Sequence, residues 1–291
     1  MQPAWHTFPT DDPFYIAPIG DVQWNGHEED VILDDLKRHV DEALEKQAWF
    51  LGMGDYIDMA SPTGRQKIAG SGVYENLMRS IDDQALELTH QIGDILKPTR
   101  GRWLGMLTGH HYWKDQNGVT SDQRLCEILA APYLGDDIGE MGGAAIQITV
   151  PTHQDNRAIK LWAHHGFGTG EESAMLLKLK RIAADWEQVD CFFMGHMTKM
   201  VSTIIPKLHF TLHKRADAIS FKILERRVGL VGTGGWSKAY IPGRTTYVER
   251  KGMRPVALGA PIVKITPQFS RTHTKDDTAR RWLPRIEVTL A

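Results

Sequence analysis

Five short apolar runs in this chain stop in the same way, in glycine together with acidic or imidazole side chains: IGDVQ at 19–23, GMGDYID at 52–58, LTGHHYW at 107–113, WAHHGFG at 162–168 and FMGHMT at 193–198. Runs of this length read as buried strands, and the longer stretches between them carry helical spacing. Strand, loop and helix in alternation restrict the chain to an α/β architecture. In such folds ligands gather at the carboxyl ends of the strands, so five polar ends offer one converging site.

The spacing predicts strands over 14–20, 48–53, 103–107, 144–150, 158–163 and 189–194. It predicts helices over 28–47, 74–96, 121–130 and 171–186, and a loop over 61–72. In the first helix Ile32, Leu36, Val40 and Leu44 recur every four residues, with Glu28, Glu29 and Asp30 in front. After Met200 the texture turns to β-branched and aromatic runs, as at 228–231, 262–265 and 286–290. No repeat, low-complexity tract or long linker divides the 291 residues, so a single domain over 1–291 is expected, with the motifs within 14–200 and a mostly β, basic part over 201–291.

The strand ends pool Asp21, Gln23, Asp55, Asp58, His110, His111, His164, His165 and His196. Asp and His are metal ligands, and Gln can lend its carbonyl oxygen. An isolated strand-end Asp is usually a turn or cap residue, and a lone His a hydrogen-bonded structural one. Recurrence at five successive strand ends is what makes these residues a ligand set.

In their order the motifs resemble those of the calcineurin-like metallophosphoesterase superfamily: D-x-H, GDxxD, GNH followed by an acid, a single His after a strand, and GHxH. The resemblance covers about residues 14–200. It implies a four-layer α/β/β/α sandwich of two mixed β-sheets flanked by helices, with two divalent metal ions at the strand ends. Position by position it implies that Asp21 and Gln23 hold the first metal, Asp55 bridges both, and His110, His165 and His196 hold the second. His111 takes the place of the catalytic histidine. Of the pair at 164–165, His165 is followed by Gly166 as the family ligand is, which leaves His164 as a neighbour. Asp58 is expected to accept the free N–H of a ligand imidazole.

Three positions depart from the family pattern. Gln23 stands where His is usual, as in branches resembling ADP-ribose/CDP-alcohol diphosphatases. His110 replaces Asn, and Tyr112 replaces the acid after the catalytic His, which leaves Asp115 as a candidate to orient His111. Thr198 replaces the last His of GHxH and is at best a neutral oxygen donor. His209 or His213 is a candidate to supply the missing ligand. The first site is then all oxygen and suits Mn²⁺ or Mg²⁺, whereas the imidazole-rich second suits Zn²⁺, Fe or Mn²⁺, with Mn²⁺ the ion common to both. Unequal sites are expected, the first the weaker.

The implied activity is metal-dependent hydrolysis of a phosphodiester or of a phosphorylated nucleotide or nucleic acid by a metal-bound hydroxide. Net charge is −2, but residues 1–198 carry −14 and residues 199–291 carry +12. A basic part suits an anionic substrate, as does the mixture of Arg244, Arg250, Lys251 and Arg254 with Tyr240 and Tyr247. Gly232 to Trp236 reads as a tight turn sooner than as a phosphate cradle. The alternatives are a nucleoside-diphosphate-conjugate pyrophosphatase, from Gln23, and a non-catalytic metal-binding or assembly module, from Thr198 and Tyr112. No apolar run is long enough for a membrane helix, MQPAWHTFPTDDP lacks the features of a secretory leader, and Cys126 and Cys191 suggest no redox pair, so a cytoplasmic protein is expected.

Overall fold

The structure is a computed structural model describing residues 1–291 apart from 10, 60, 71–74, 136–141, 152–155, 216–217, 244, 251, 253, 268, 272–279, 283–284 and 291. In chain order the elements are β1 (Gln2–Thr7), β2 (Phe14–Ile19), α1 (Leu33–Glu45), β3 (Trp49–Gly52), α2 (Pro62–Gly70), α3 (Glu75–Leu96), β4 (Trp103–Met106), α4 (Ser121–Leu129), β5 (Gly143–Pro151), β6 (Asn156–His164), α5 (Glu172–Asp185), β7 (Cys191–Met194), β8 (Met200–Arg215), β9 (Ala218–Thr233), α6 (Tyr247–Arg250), β10 (Pro261–Thr266), β11 (Phe269–Arg271), β12 (Arg280–Trp282) and β13 (Arg285–Leu290). No helix among the described residues is long and apolar enough to cross a membrane.

Two mixed sheets form the body, one in the order β1-β5-β6-β7-β9-β8 and the other β13-β10-β2-β3-β4; β11 and β12 pair separately. Alternation along the strands sends successive side chains to opposite faces. In β7, Cys191 and Phe193 pack between the sheets with Ile16, Leu51 and Leu104, whereas Phe192 and Met194 pack under Met175 and Leu179 of α5. In β3, Leu51 faces the other sheet and Phe50 faces α1, α3 and α4. Helices thus cover the outer face of each sheet around a shared β/β core. The C-terminal strands complete both sheets: β9 lies between β7 and β8, and β10 between β2 and β13.

Parallel pairing carries the site. β2, β3 and β4 run parallel in one sheet and β6, β7 and β9 in the other, so within each sheet the motif-bearing carboxyl ends open at one edge.

Several expectations are corrected. The helix expected over 28–47 is a 3-10 turn at Glu28–Asp30 followed by α1. Chain from far downstream claims the backbone between them: Ile32 N donates to the Trp236 carbonyl, Lys238 N donates to that of Asp30, and Val31 bridges Ser237. The loop expected over 61–72 holds α2 instead, with the Ser61 hydroxyl accepting from Gly64 N. β1 was not expected at all, because as an edge strand it buries only Ala4 of its six residues. Tyr74, the expected start of the second helix, lies outside the described residues.

On α1, His39 is buried, its ring 5.3 Å from that of Trp236. Burial, and secondarily the Lys46 ammonium, lower its pKa to about 4, the Pro18 carbonyl offsetting this only in part. The fold therefore favours the neutral ring, and the stability this supports is present above the unfolded value near 6.5 and is lost as pH falls through about 4. His39→Leu, similar in volume and without a charge to bury, is predicted to gain about 2 kcal/mol over wild type on going from pH 7.5 to pH 5. Denaturant melts at the two pH values measure it; an unchanged difference between the proteins contradicts the assignment.

Candidate metal centre

Asp55, His110, His165 and His196 come together at the strand ends, each offering a ligand atom, all within 4.8 Å of one another. The ring centroids of His110 lie 4.8 Å from His165 and 4.3 Å from His196. Asp21 adjoins this group, its Oδ2 accepting from His196 N at 2.9 Å.

The local backbone is unusual. Asp21, Gln23, Asp55, His196 and Thr198 have φ between 50° and 65°, five of the seven non-glycine residues with positive φ among those described. Left-handed backbone is costly for such residues, most of all for β-branched Thr. Outliers of this kind cluster where surrounding structure enforces them, and functional sites are the usual place. The enforcing contacts here are backbone bonds between strand ends: Asp21 N to the Gly54 carbonyl, Gln23 N to that of Asp55, and Trp236 N to that of Asp21. Gly54 and Gly109 touch, since a Cβ on Gly54 would lie 2.6 Å from Gly109 N. That approach brings the amides of His110 and His111 onto Asp55 Oδ1, the His111 bond being 2.9 Å.

Both carboxylates are consequently one-sided. Asp55 has Oδ1 bound by two amides and Asp21 has Oδ2 bound by one, while Asp55 Oδ2 and Asp21 Oδ1 are buried without a hydrogen bond. His110 Nδ1 and His165 Nε2 are likewise buried and unpartnered. Unsatisfied buried polar atoms are rare, and three of them in the cluster of Asp55, His110, His165 and His196, with Asp21 Oδ1 as a fourth in the adjoining residue, mark a place where an ion or water belongs. His165 donates from Nδ1 to the Met53 carbonyl at 2.6 Å, which fixes its tautomer and turns Nε2 to Asp55 Oδ2 at 3.4 Å.

The charges are unbalanced in the direction a cation corrects. Burial pushes Asp21 up to about 7, although His165 opposes it. Burial acts the same way on Asp55, but His165 and the amides outweigh it and hold this carboxyl well below the usual range. His165 is raised to about 9, the Asp55 carboxylate overcoming burial. Burial and the neighbouring His165 lower His110 to about 3 and His196 to about 4, so both are neutral, as a metal requires.

His111 stands outside the cluster of four. Its Nδ1 lies 2.7 Å from Asp58 Oδ1 and its Nε2 4.0 Å from Asp55 Oδ2. Burial opposes protonation of His111, but the Asp58 hydrogen bond and the Asp55 charge raise its pKa. Asp58 thus meets His111 and not a ligand imidazole, where the Met53 carbonyl serves instead. Asp115 does not orient His111: it binds Asn117 N, Val119 N and Arg124.

His164 points away, stacked on Trp162 and accepting from Gly166 N. Gln23 flanks the carboxylates through its backbone, its N on the Asp55 carbonyl, whereas Thr198 sets its side chain against Gly235. His209 and His213 sit along β8 opposite Leu224 and Ser220, about 30 Å and more from Met200 at the strand rise, and cannot replace a ligand at 198. His273, Arg244 and Lys251 lie outside the described residues. Gly235 pairs with Gly259 and forms a wall behind Asp21, so the 232–236 segment is no phosphate cradle.

Two residues escaped the sequence reading. Arg65 of α2 donates to the carbonyls of His110 (2.6 Å) and Tyr112 (2.8 Å) and lies over the Tyr112 ring, clamping the turn that carries His111. Buried Asp122 of α4 accepts from Gly109 N. Comparison with family models, curated proteins and solved structures finds no match for the chain.

The cluster is predicted to bind a divalent cation and to be stabilised by it, by about 2.7 kcal/mol at a hundredfold excess over Kd. Thermal melts with added Zn²⁺ or Mn²⁺ should show this for wild type and His164→Ala and lose it for His165→Ala and His196→Ala. Equal shifts in all four proteins contradict the ligand set.

Proposed function

We propose that this chain is a metal-dependent hydrolase of phosphoester bonds of the calcineurin-like kind, acting on a phosphodiester or a phosphorylated nucleotide or nucleic acid. One observation carries the reading. Two buried carboxylates, each with one oxygen tied and the other bare, stand beside three imidazoles, with a further histidine held at their edge by Asp58. His110, His165 and His196 with Asp55 are the residues to hold one cation, and Asp21, Gln23 and Asp55 those for a second and weaker one. Bound divalent cations supply Lewis-acid chemistry, polarising phosphoryl oxygens and lowering the pKa of water.

The chain's own residues position and move protons. His111, its Nδ1 engaged by Asp58 and its affinity for a proton raised, presents Nε2–H as donor to the departing oxygen. Arg65 keeps the flanking peptide groups fixed, so the imidazole approaches in one orientation. The order of the five motifs and the basic part over 199–291 favour an anionic, nucleotide-like substrate. Gln23, in place of the more usual histidine, favours a second reading, cleavage of a nucleoside-diphosphate conjugate.

Metal-stripped protein is expected to hydrolyse bis-nitrophenyl phosphate on return of Mn²⁺, and Asp55→Asn to be inactive. His111→Ala is expected to bind metal normally and lose about 10²- to 10⁴-fold in kcat. Parallel assays with ADP-ribose and single-stranded DNA separate the substrate classes. Full activity in His111→Ala removes it from the proton-donor role, and silence with every substrate and metal moves the chain to a binding or assembly module.

A further inference from the structure

Tryptophan is on average a well-buried residue, and Trp24, Trp103, Trp113, Trp162 and Trp236 are each 5% exposed or less. Two others stand out, Trp5 on β1 at 70% exposure and Trp186 just after α5 at 39%. Far apart in sequence, these two line one cavity of about 580 Å³, the size of a small-molecule site.

The cavity lies on the outer face of the six-stranded sheet. Register sets Trp5 opposite Gln147 of β5, and Gln147 opposite Lys160 of β6, in one row across three strands. Ala4, Ile146 and Leu161 beside them pack between the sheets, so the row points the other way. Helix α5 covers that outer face over β7, β8 and β9, and the row lies beside it. Trp5 stands at one end of the row. At the other end, two strand spacings or about 10 Å away, the loop after α5 rises, with Gln188 Oε1 accepting from Lys160 Nζ at 2.6 Å. The two indoles are thus walls and the row between them a floor.

The loop is fixed from the far side of the sheet. Lys207 donates to the carbonyls of Ala183 and Trp186, and Arg226 to those of Glu187 (2.7 Å) and Gln188 (3.0 Å). Lys160 and Asp190 add a reciprocal pair, Asp190 N to the Lys160 carbonyl and Lys160 N to Asp190 Oδ2, both 2.8 Å. An exposed tryptophan on a loop clamped in this way is preorganised, so a ligand does not spend affinity on ordering it.

The polar groups select the ligand. Asp185 and Glu187 only accept, Lys160 only donates, and Gln147 and Gln188 do both. Hydroxyls, which donate and accept, match such a mixed set. A phosphate or polynucleotide would meet two carboxylates against one ammonium already shared with Gln188, since Lys207 and Arg226 are committed to carbonyls. An organic cation would meet that ammonium in the floor. We propose that this cavity binds a neutral saccharide, with the C–H faces of its rings stacked on Trp5 and Trp186 and its hydroxyls bonded to Gln147, Lys160, Asp185 and Glu187. Lys160 lies five residues before His165, about 16 Å along the strand, so this site is separate from the metal centre and does not depend on its chemistry.

Isothermal titration calorimetry of the full chain in EDTA, with maltohexaose, cellohexaose and chitohexaose as probes, tests this apart from any bound metal. At least one of the three is expected to bind, and Trp5→Ala and Trp186→Ala each to weaken it about tenfold or more. Trp5→Phe, which keeps an aromatic face, is expected to lose less. Both indoles are exposed, so both alanine variants are expected to keep the wild-type circular dichroism; if Trp186→Ala does not, Trp5→Ala alone decides. No heat with any of the three sugars overturns the proposal, as does equal affinity in Trp5→Ala and wild type. Binding of AMP or tetramethylammonium where the sugars give none also overturns it, in favour of a nucleobase or a cation.

Discussion

Everything at the strand ends depends on backbone amides of one strand end gripping the carboxylate of another. His196 N on Asp21 ties a residue after β2 to one after β7, across the two sheets. His111 N on Asp55 ties the ends of β3 and β4 within one sheet. Each bond leaves the second carboxylate oxygen buried without a hydrogen bond. A buried carboxylate left in that state costs several kcal/mol, and it is tolerable in a native fold if a cation completes it.

The backbone meets a further cost. Five left-handed non-glycine residues, at roughly 1 kcal/mol or more each, are held by the same interstrand bonds. The β/β core supplies the rigidity that makes such conformations persist: Phe193, Val231, Leu51 and Ile16 are fully buried between the sheets, with helices packed outside both. A site of this kind is assembled by the fold and not by its ligand alone.

The sequence makes the five strand ends readable because their polar residues interrupt otherwise apolar runs, and the grouping of Asp55, His110, His165 and His196 follows from parallel pairing. The choice of His165 over His164 was legible in the glycine that follows it, Gly166, as in the resembled family, and not in any strand periodicity. What was hidden depends on tertiary context. Arg65 sits in a Gly- and Pro-containing stretch with the texture of a loop, and nothing local says that it becomes a helix facing residues 110 and 112. Asp115 is near His111 in sequence but turns into its own loop, whereas Asp58, 53 residues away, is the partner. The start of α1 is set by chain at 236–238, and edge strand β1 buries too little to show a pattern.

The central claim is that these strand ends form one metal centre with two unequal places. Anomalous diffraction from crystals grown with Mn²⁺ tests it most directly. The account predicts a strong peak among Asp55, His110, His165 and His196 and a second, weaker one beside Asp21 and Gln23. Absence of any peak at the strand ends, or two peaks of equal strength, contradicts it.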